Sequence, residues 1–315
     1  MRFLVTGGAG FIGSHITERL LKEGNFVRVL DNFSSGKREN LLFAKEYSRN
    51  FQLIKGDIRN QSTCNKACVG IDYVFHEAAL RSVPKSMHDP LNYNRVNIDG
   101  TLFMLQAALK NKIKRFVFAS SSSVYGDVEQ FPEREDAFPL LISPYALGKL
   151  ANEYYCRIFT NAYGLETVGL RYFNVFGPRQ ALDDEYAVVI PKFIHCILRD
   201  EQPPIFGTGK QSRDFTYIDD IVEANILAAT TTGIKHEVFN VANGQDKTVM
   251  ELVEVLNKII GKNIAPKHLP VRLGDVYKTL ADITKIKEKL TYKSKITFEE
   301  GLRRTVEYFR KIYQK

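Results

Sequence analysis

The chain has 315 residues, 44% apolar and 25% charged, the balance of an ordinary globular protein with one large domain or two modest ones. The net charge of +8 is spread over lysines and arginines with acids among them and no basic–aromatic array, which argues against a nucleic-acid binder and suits an anionic small substrate. No apolar run has the length of a membrane span or a signal-peptide core, so a cytoplasmic location away from membranes is expected. The cysteines (Cys64, Cys68, Cys156 and Cys196) show neither C-x-x-C spacing nor a zinc-ligand pattern, and read as buried free thiols with no metal.

Arg2 to Thr6 reads as a short buried strand, and Ile12, Ile16, Leu20 and Leu21 recur at helical spacing over Phe11 to Glu23. Between them lies Thr6-Gly7-Gly8-Ala9-Gly10-Phe11-Ile12-Gly13, which satisfies both G-x-G-x-x-G and G-x-x-G-x-x-G. A strand, a glycine turn and a helix start, in that order, offer backbone N–H groups and a partial positive charge to a diphosphate. Gly7, Gly10, Phe11 and Ile12 are therefore candidate cofactor contacts. A second strand, Phe26 to Leu30, leads to Asp31, about where an acid should meet the ribose 2′-hydroxyl and repel a 2′-phosphate. NAD is favoured over NADP, although Lys37 and Arg38 keep NADP open. Asn32, Ser34 and Gly36 lie in the loop expected to wrap the adenine ribose.

A third strand, Phe51 to Lys55, is followed by Asp57 and Ile58, where the adenine is expected. The fourth, Tyr73 to His76, runs into Glu77-Ala78-Ala79, whose small alanines admit a cofactor closely; His76-Glu77 lacks the second histidine of a zinc-protease motif. Arg81 to Ser86 reads as a loop, and Asn97, a further cofactor candidate, opens a long helix through Leu102, Leu105 and Leu109. A fifth strand, Phe116 to Ala119, runs into the serine run 120–123 and Val124-Tyr125-Gly126. Ser143 and Pro144 are N-cap and first-turn signals for a helix reaching about Tyr163, and Glu166 to Leu170 is a sixth strand. This alternation implies an α/β fold, a doubly wound parallel sheet (Rossmann) covered on both faces, with a second, smaller substrate-binding lobe. The expected division is 1–173 with 214–243 for the cofactor domain and 174–213 with 244–315 for the lobe.

Tyr145 and Lys149 are four residues apart on one helix face. An ammonium ~5–6 Å from the phenol, at an effective dielectric of about 20, favours the phenolate by roughly 3 kcal/mol, about two pKa units. Tyr145 is thereby a candidate base, with Lys149 lowering its pKa and holding the nicotinamide ribose. On a bland helix the same spacing would be a packed tyrosine and a surface lysine; the glycine turn and the serine run favour function.

Together the glycine turn, the serine run and the Tyr145/Lys149 pair resemble the extended short-chain dehydrogenase/reductase family over essentially the whole chain. Asp31-Asn32-Phe33, Ser121 to Gly126, Ser143-Pro144-Tyr145 and Leu170-Arg171-Tyr172-Phe173-Asn174 are similar to NAD-dependent nucleotide-sugar 4-epimerases. Ser82 to Ser86, Val189-Ile190-Pro191-Lys192 and Arg272-Leu273-Gly274-Asp275 are similar to the UDP-N-acetylglucosamine 4-epimerases among them. The resemblance implies retained NAD, a UDP-sugar substrate and a homodimer. It implies that Ser121 bonds the sugar 4-oxygen, with Ser122 and Ser123 in the same pocket, and that Tyr145 takes the 4-hydroxyl proton. Tyr172 is implied at the nicotinamide end, Ser82 and Val189 beside the substrate, Asn174, Arg213 and Arg272 at its diphosphate, and Asp275 at its ribose or uracil. Either arginine would otherwise be a surface ion pair. Ser123 stands where related dehydratases and decarboxylases carry an acid. Thr279 falls at the position gating the sugar C2 substituent and leaves room for an N-acetyl group, while Arg81 leaves UDP-glucuronate open as a substrate.

Overall fold

Residues 1–181, 189–271 and 276–313 are described by a computed structural model. Its centre is a seven-stranded sheet, every neighbouring pair parallel. The chain supplies β1 (Arg2–Thr6), α1 (Phe11–Lys22), β2 (Phe26–Asp31), β3 (Phe51–Lys55), α2 (Gln61–Cys68) and β4 (Tyr73–His76). Then come α3 (Val83–His88), α4 (Pro90–Asn94), α5 (Gly100–Lys110), β5 (Arg115–Ser121), α6 (Pro144–Tyr163), β6 (Glu166–Tyr172) and β7 (Val175–Phe176). The remainder is α7 (Val189–Leu198), β8 (Pro204–Phe206), β9 (Ser212–Asp214), β10 (Thr216–Tyr217), α8 (Ile218–Thr230), β11 (His236–Val241), β12 (Asp246–Thr248), α9 (Val249–Ile260), β13 (Lys267–Leu269), α10 (Thr284–Leu290) and α11 (Phe298–Tyr313).

The strand order is β3-β2-β1-β4-β5-β6-β11, so β1 lies between β2 and β4, where the winding of the sheet reverses. In such sheets the crevice for a ligand opens at the C-terminal ends of the strands flanking this point. Side-chain alternation divides the core between the two faces. Phe3 and Val5 join Ile16, Leu20, Val117 and Val168 in one buried cluster that continues to Leu252 and Phe309. Leu4 joins Met104, Leu105, Phe116, Cys156 and Phe159 in the other. Cys64, Cys68, Cys156 and Cys196 are buried free thiols. No helix among the described residues is long and apolar enough to cross a membrane.

Two expectations are corrected here. The stretch taken as a loop at 81–86 holds the start of α3, capped by Ser82, whose hydroxyl accepts from Lys85 N at 3.3 Å. The helix expected from Asn97 instead starts at Pro90, with Asp89 accepting from Asn92 N at 3.2 Å. It passes through a π turn at Arg95–Asp99 into α5, so Asn97 sits mid-helix. Asp89-Pro90 is a good cap and first-turn pair, and the periodicity that marked Leu102 to Leu109 does not extend back over it.

Candidate active site

Gly7 ends β1 with φ 66°, a left-handed conformation, and a Cβ there would meet Ala78 N at 2.8 Å. A Cβ on Gly13 would lie 2.4 Å from the Gly7 carbonyl oxygen. These approaches bring the start of α1 against the ends of β1 and β4, and Gly10 caps α1 without a side-chain bond. Asp31, 7% exposed, holds the turn in shape: its carboxylate accepts from Ala9 N at 2.9 Å and Phe33 N at 2.7 Å. Burial raises its pKa, and those two bonds oppose the rise.

A cleft of about 300 Å³ opens over this turn. Gly7, Gly10, Phe11, Ile12, Asp31, Asn32, Ser34 and Gly36 line it, together with Asp57 and Ile58. Asn32 Nδ2 donates to Asp57 at 2.8 Å, and the Arg59 guanidinium holds the Asp57 carboxyl well below the usual range. Ala78, Ala79, Tyr145, Lys149 and Tyr172 also line it, with Ala78 against Gly7. Asn97, expected as a cofactor contact, supports the cleft through Leu80, which lines it. It is 1% exposed and exchanges two bonds with Leu80, Nδ2 to O at 2.9 Å and Leu80 N to Oδ1 at 2.8 Å, so it pins the 78–81 segment from beneath.

Helix α6 delivers the polar pair. Ser143 accepts from Ala146 N at 3.2 Å and Pro144 occupies the first turn, so the helix starts in register with the end of β5. Lys149 donates from Nζ to Ala119 O at 2.6 Å and lies 5.8 Å from the centroid of the Tyr145 ring. Tyr145 is hydrogen-bonded to Ser121, which also accepts from Ser123 N at 3.2 Å and Ser123 Oγ at 2.9 Å.

The electrostatics differ from the sequence expectation. Burial is the largest influence on Tyr145 and raises its pKa; the Ser121 bond and the Arg81 charge lower it, and Glu77 raises it further. Lys149 is itself pulled down by burial, against the pull of Glu77. Desolvation is the largest influence on both groups, and it raises the phenol while lowering the ammonium. Glu77, which the sequence reading passed over, lines the cleft and accepts from Tyr172 Oη at 2.9 Å. Burial raises its pKa, and Tyr172 and Lys149 oppose the rise. Its place directly after β4 was the available signal. His76 is a core residue instead, bonded through Nδ1 to Thr6 Oγ1 at 2.8 Å and through Nε2 to Thr101 Oγ1 at 3.0 Å.

The other predicted residues are spread over several elements. Asn174, Arg213 and Thr279 come together: Asn174 Nδ2 donates to Asp214 O at 3.0 Å and to Thr279 Oγ1 at 2.9 Å, and Arg213 Nη1 donates to Ser212 O at 2.8 Å. Ser122 and Ser123 form a 3₁₀ turn after β5, Ser82 caps α3, and Val189 opens α7. Arg272 and Asp275 lie outside the described residues. No cluster of three or more metal-ligating side chains occurs among the described residues.

The parallel sheet, the glycine turn at its switch point and the acid ending β2 define a dinucleotide-binding protein. The chain belongs to the NAD dependent epimerase/dehydratase family, whose model matches residues 3–242. It is 45% identical, with a TM-score of 0.94 and coverage of 100% of this chain and 99% of the other, to a UDP-N-acetylglucosamine 4-epimerase of Methanobrevibacter ruminantium solved with UDP-N-acetylmuramic acid. A UDP-glucose 4-epimerase of Thermus thermophilus, solved with NAD, is 35% identical with a TM-score of 0.89 over 98% of this chain and 99% of that one. A UDP-N-acetyl-alpha-D-glucosaminuronate decarboxylase of Bacillus cytotoxicus is 35% identical over 99% of this chain and 98% of its own. The protein is an isomerase that uses NAD. The residues present fit that group: Gly10 and Gly36 line the cleft, and a Cβ on Gly10 would reach Gly7 O at 3.0 Å and one on Gly36 Asp31 Oδ1 at 2.9 Å.

Proposed function

We propose that the enzyme interconverts UDP-N-acetylglucosamine and UDP-N-acetylgalactosamine through a 4-keto sugar, and that it also accepts UDP-glucose and UDP-galactose. The 45% identical epimerase of N-acetylated UDP-sugars supports this reading. The single observation that carries the acetylated substrate is Thr279, a small side chain, 7% exposed and tethered by Asn174 Nδ2, at the position the resemblance assigns to gating the sugar C2 substituent.

Bound NAD supplies the hydride acceptor and donor for sugar C4, held by Gly7, Gly10, Asp31 and Lys149. Tyr145 takes and returns the 4-hydroxyl proton, and the Ser121 bond favours its phenolate form. Lys149 is locked onto Ala119 O, which fixes its ammonium near Tyr145, where it would hold the nicotinamide ribose. Ser121, Ser122 and Ser123 face the sugar, Ser82 and Val189 flank it, and Asn174, Arg213, Arg272 and Asp275 hold the nucleotide. The reading divides the chain as the sequence does, with 174–213 and 244–315 forming the substrate lobe. It also takes the enzyme as a homodimer, for which the exposed α6 side chains Leu147, Tyr154 and Ile158 offer an apolar face.

Incubation without added cofactor, followed by chromatography of the 4-epimers, tests the assignment. Conversion of UDP-N-acetylglucosamine faster than UDP-glucose is expected. In T279Y, turnover of the acetylated sugar should fall far more than that of UDP-glucose; equal losses would remove the gating argument. No conversion of either sugar, with NAD restored, would turn the test to UDP-glucuronate and then to a keto-sugar reductase. Arg81 supports a second reading, an acidic sugar such as UDP-glucuronate, because its guanidinium lines the cleft and its charge acts on Tyr145. Conversion of UDP-glucuronate that exceeds both neutral sugars and is lost in R81A would establish it.

A further inference from the structure

Arg179 enters the cleft from the segment after β7 and lines it together with Gly10, Phe11 and Asn40. Its backbone is left-handed, φ 66°, an uncommon state for a residue with a side chain. The flanking atoms are fastened: His15 Nε2 bonds Pro178 O at 3.0 Å, and Gln180 Nε2 donates to Val175 O at 3.0 Å. Burial, aided by the Arg179 charge, lowers the His15 pKa to about 4, so the imidazole is neutral and its Nε2–H is the donor to that carbonyl. The Arg179 side chain is 17% exposed. Nη2 donates to Glu18 on α1, and the guanidinium lies 5.0 Å from the centroid of the Phe43 ring. Nη1 is buried and has no hydrogen-bond partner among the described residues.

A buried guanidinium arm without an acceptor is costly, and such orphans mark places where something else supplies one. The arm's neighbours show what that is. Gly10 and Phe11 form the start of α1, whose backbone N–H groups and dipole already favour an anion there. The carboxylate available locally, Glu18, is taken by Nη2 and by Lys22 at 2.7 Å. We propose that Nη1 of Arg179 binds the diphosphate of NAD, making Arg179 a positioning residue that ties the cofactor, through Glu18, to α1 and slows its escape. The enzyme handles two diphosphates, and the location of Arg179 selects the cofactor's: its anchors are Glu18 and Phe43 on the glycine-turn side, whereas Asn174 and Arg213 gather around Asp214 and Thr279. An epimerase that lost its cofactor between the two transfers would strand a keto sugar, so slow release has a direct use.

The test uses R179N, since asparagine tolerates the left-handed backbone, with R179K restoring charge without the planar fork. NAD content after desalting, the rate of exchange against labelled NAD, the melting temperature with and without NAD, and the affinity for UDP are measured. R179N is expected to release NAD roughly 10- to 100-fold faster and to lose most of the NAD-induced rise in melting temperature, with R179K between it and wild type. Its melting temperature without NAD and its UDP affinity are expected to match wild type. Wild-type NAD exchange in R179N overturns the proposal. So does weaker UDP binding with unchanged NAD exchange, which assigns the arm to the substrate, or a lower melting temperature without NAD as the sole effect, which makes Arg179 structural.

Discussion

The two ends of the site are built in different ways. The cofactor end is local: Gly7, Gly10, Gly13 and Asp31 fall within one strand–turn–helix–strand unit, and much of what they present is backbone. The proposed sugar end is assembled over long distances. Asn174 bonds Thr279 across 105 positions of sequence, and Asp214 accepts from Asn243 N at 3.0 Å, Gly244 N at 3.0 Å and Ala281 N at 3.3 Å. A backbone cradle recognises a diphosphate of any nucleotide, whereas converging side chains can be exchanged one at a time. Under the proposed function the difference separates cofactor binding at one end from substrate choice at the other, as expected for a scaffold with many functions.

If the two ends are separable, a change at the reacting centre should leave the cradle intact. Y145F should lower kcat by about 10³-fold while NAD stays bound after desalting, because only the proton transfer is lost. Loss of NAD in that variant would break the comparison. S121A should cost less, roughly 10- to 100-fold, and shift the profile as well. Ser121 holds the Tyr145 pKa down, so its removal raises that pKa, and the acid limb of kcat/KM should move to higher pH. An unmoved limb would mean that Ser121 acts on the sugar alone.

The smallest effect concerns the scaffold of the sugar end. Glu133 is 3% exposed, its Oε2 accepts from Leu280 N at 2.9 Å, and burial pushes its pKa up to about 8. Between the ordinary carboxyl value of 4.5 and about 8 the folded state therefore holds a proton that the unfolded chain releases, so stability falls as pH rises through this window. The melting temperature of wild type should fall across it more steeply than that of E133Q. Parallel curves would show that Glu133 does not set the pH dependence of this region.

Much of the fold was legible because its signals are local. Apolar runs marked β1 to β6 to within a few residues, and Ser143-Pro144 marked the start of α6. Pro90 and α3 were missed because caps there precede short helices with little periodicity, and neither Glu77 nor Arg179 belongs to a motif. The bonds of Asn97 to Leu80 were not legible either, because they join a helix to the segment after β4.

The sequence by itself determined the parallel α/β architecture, the dinucleotide cradle and the pairing of Tyr145 with Lys149 on one helix face, since each follows from spacing along a single element or from turn chemistry. Only the tertiary structure decided which way Tyr145 and Lys149 are shifted, that Glu77 joins them, and that Arg179 reaches α1 with one arm left over. Those outcomes depend on burial and on groups far apart in the chain, and neither desolvation nor long-range proximity is encoded in local spacing.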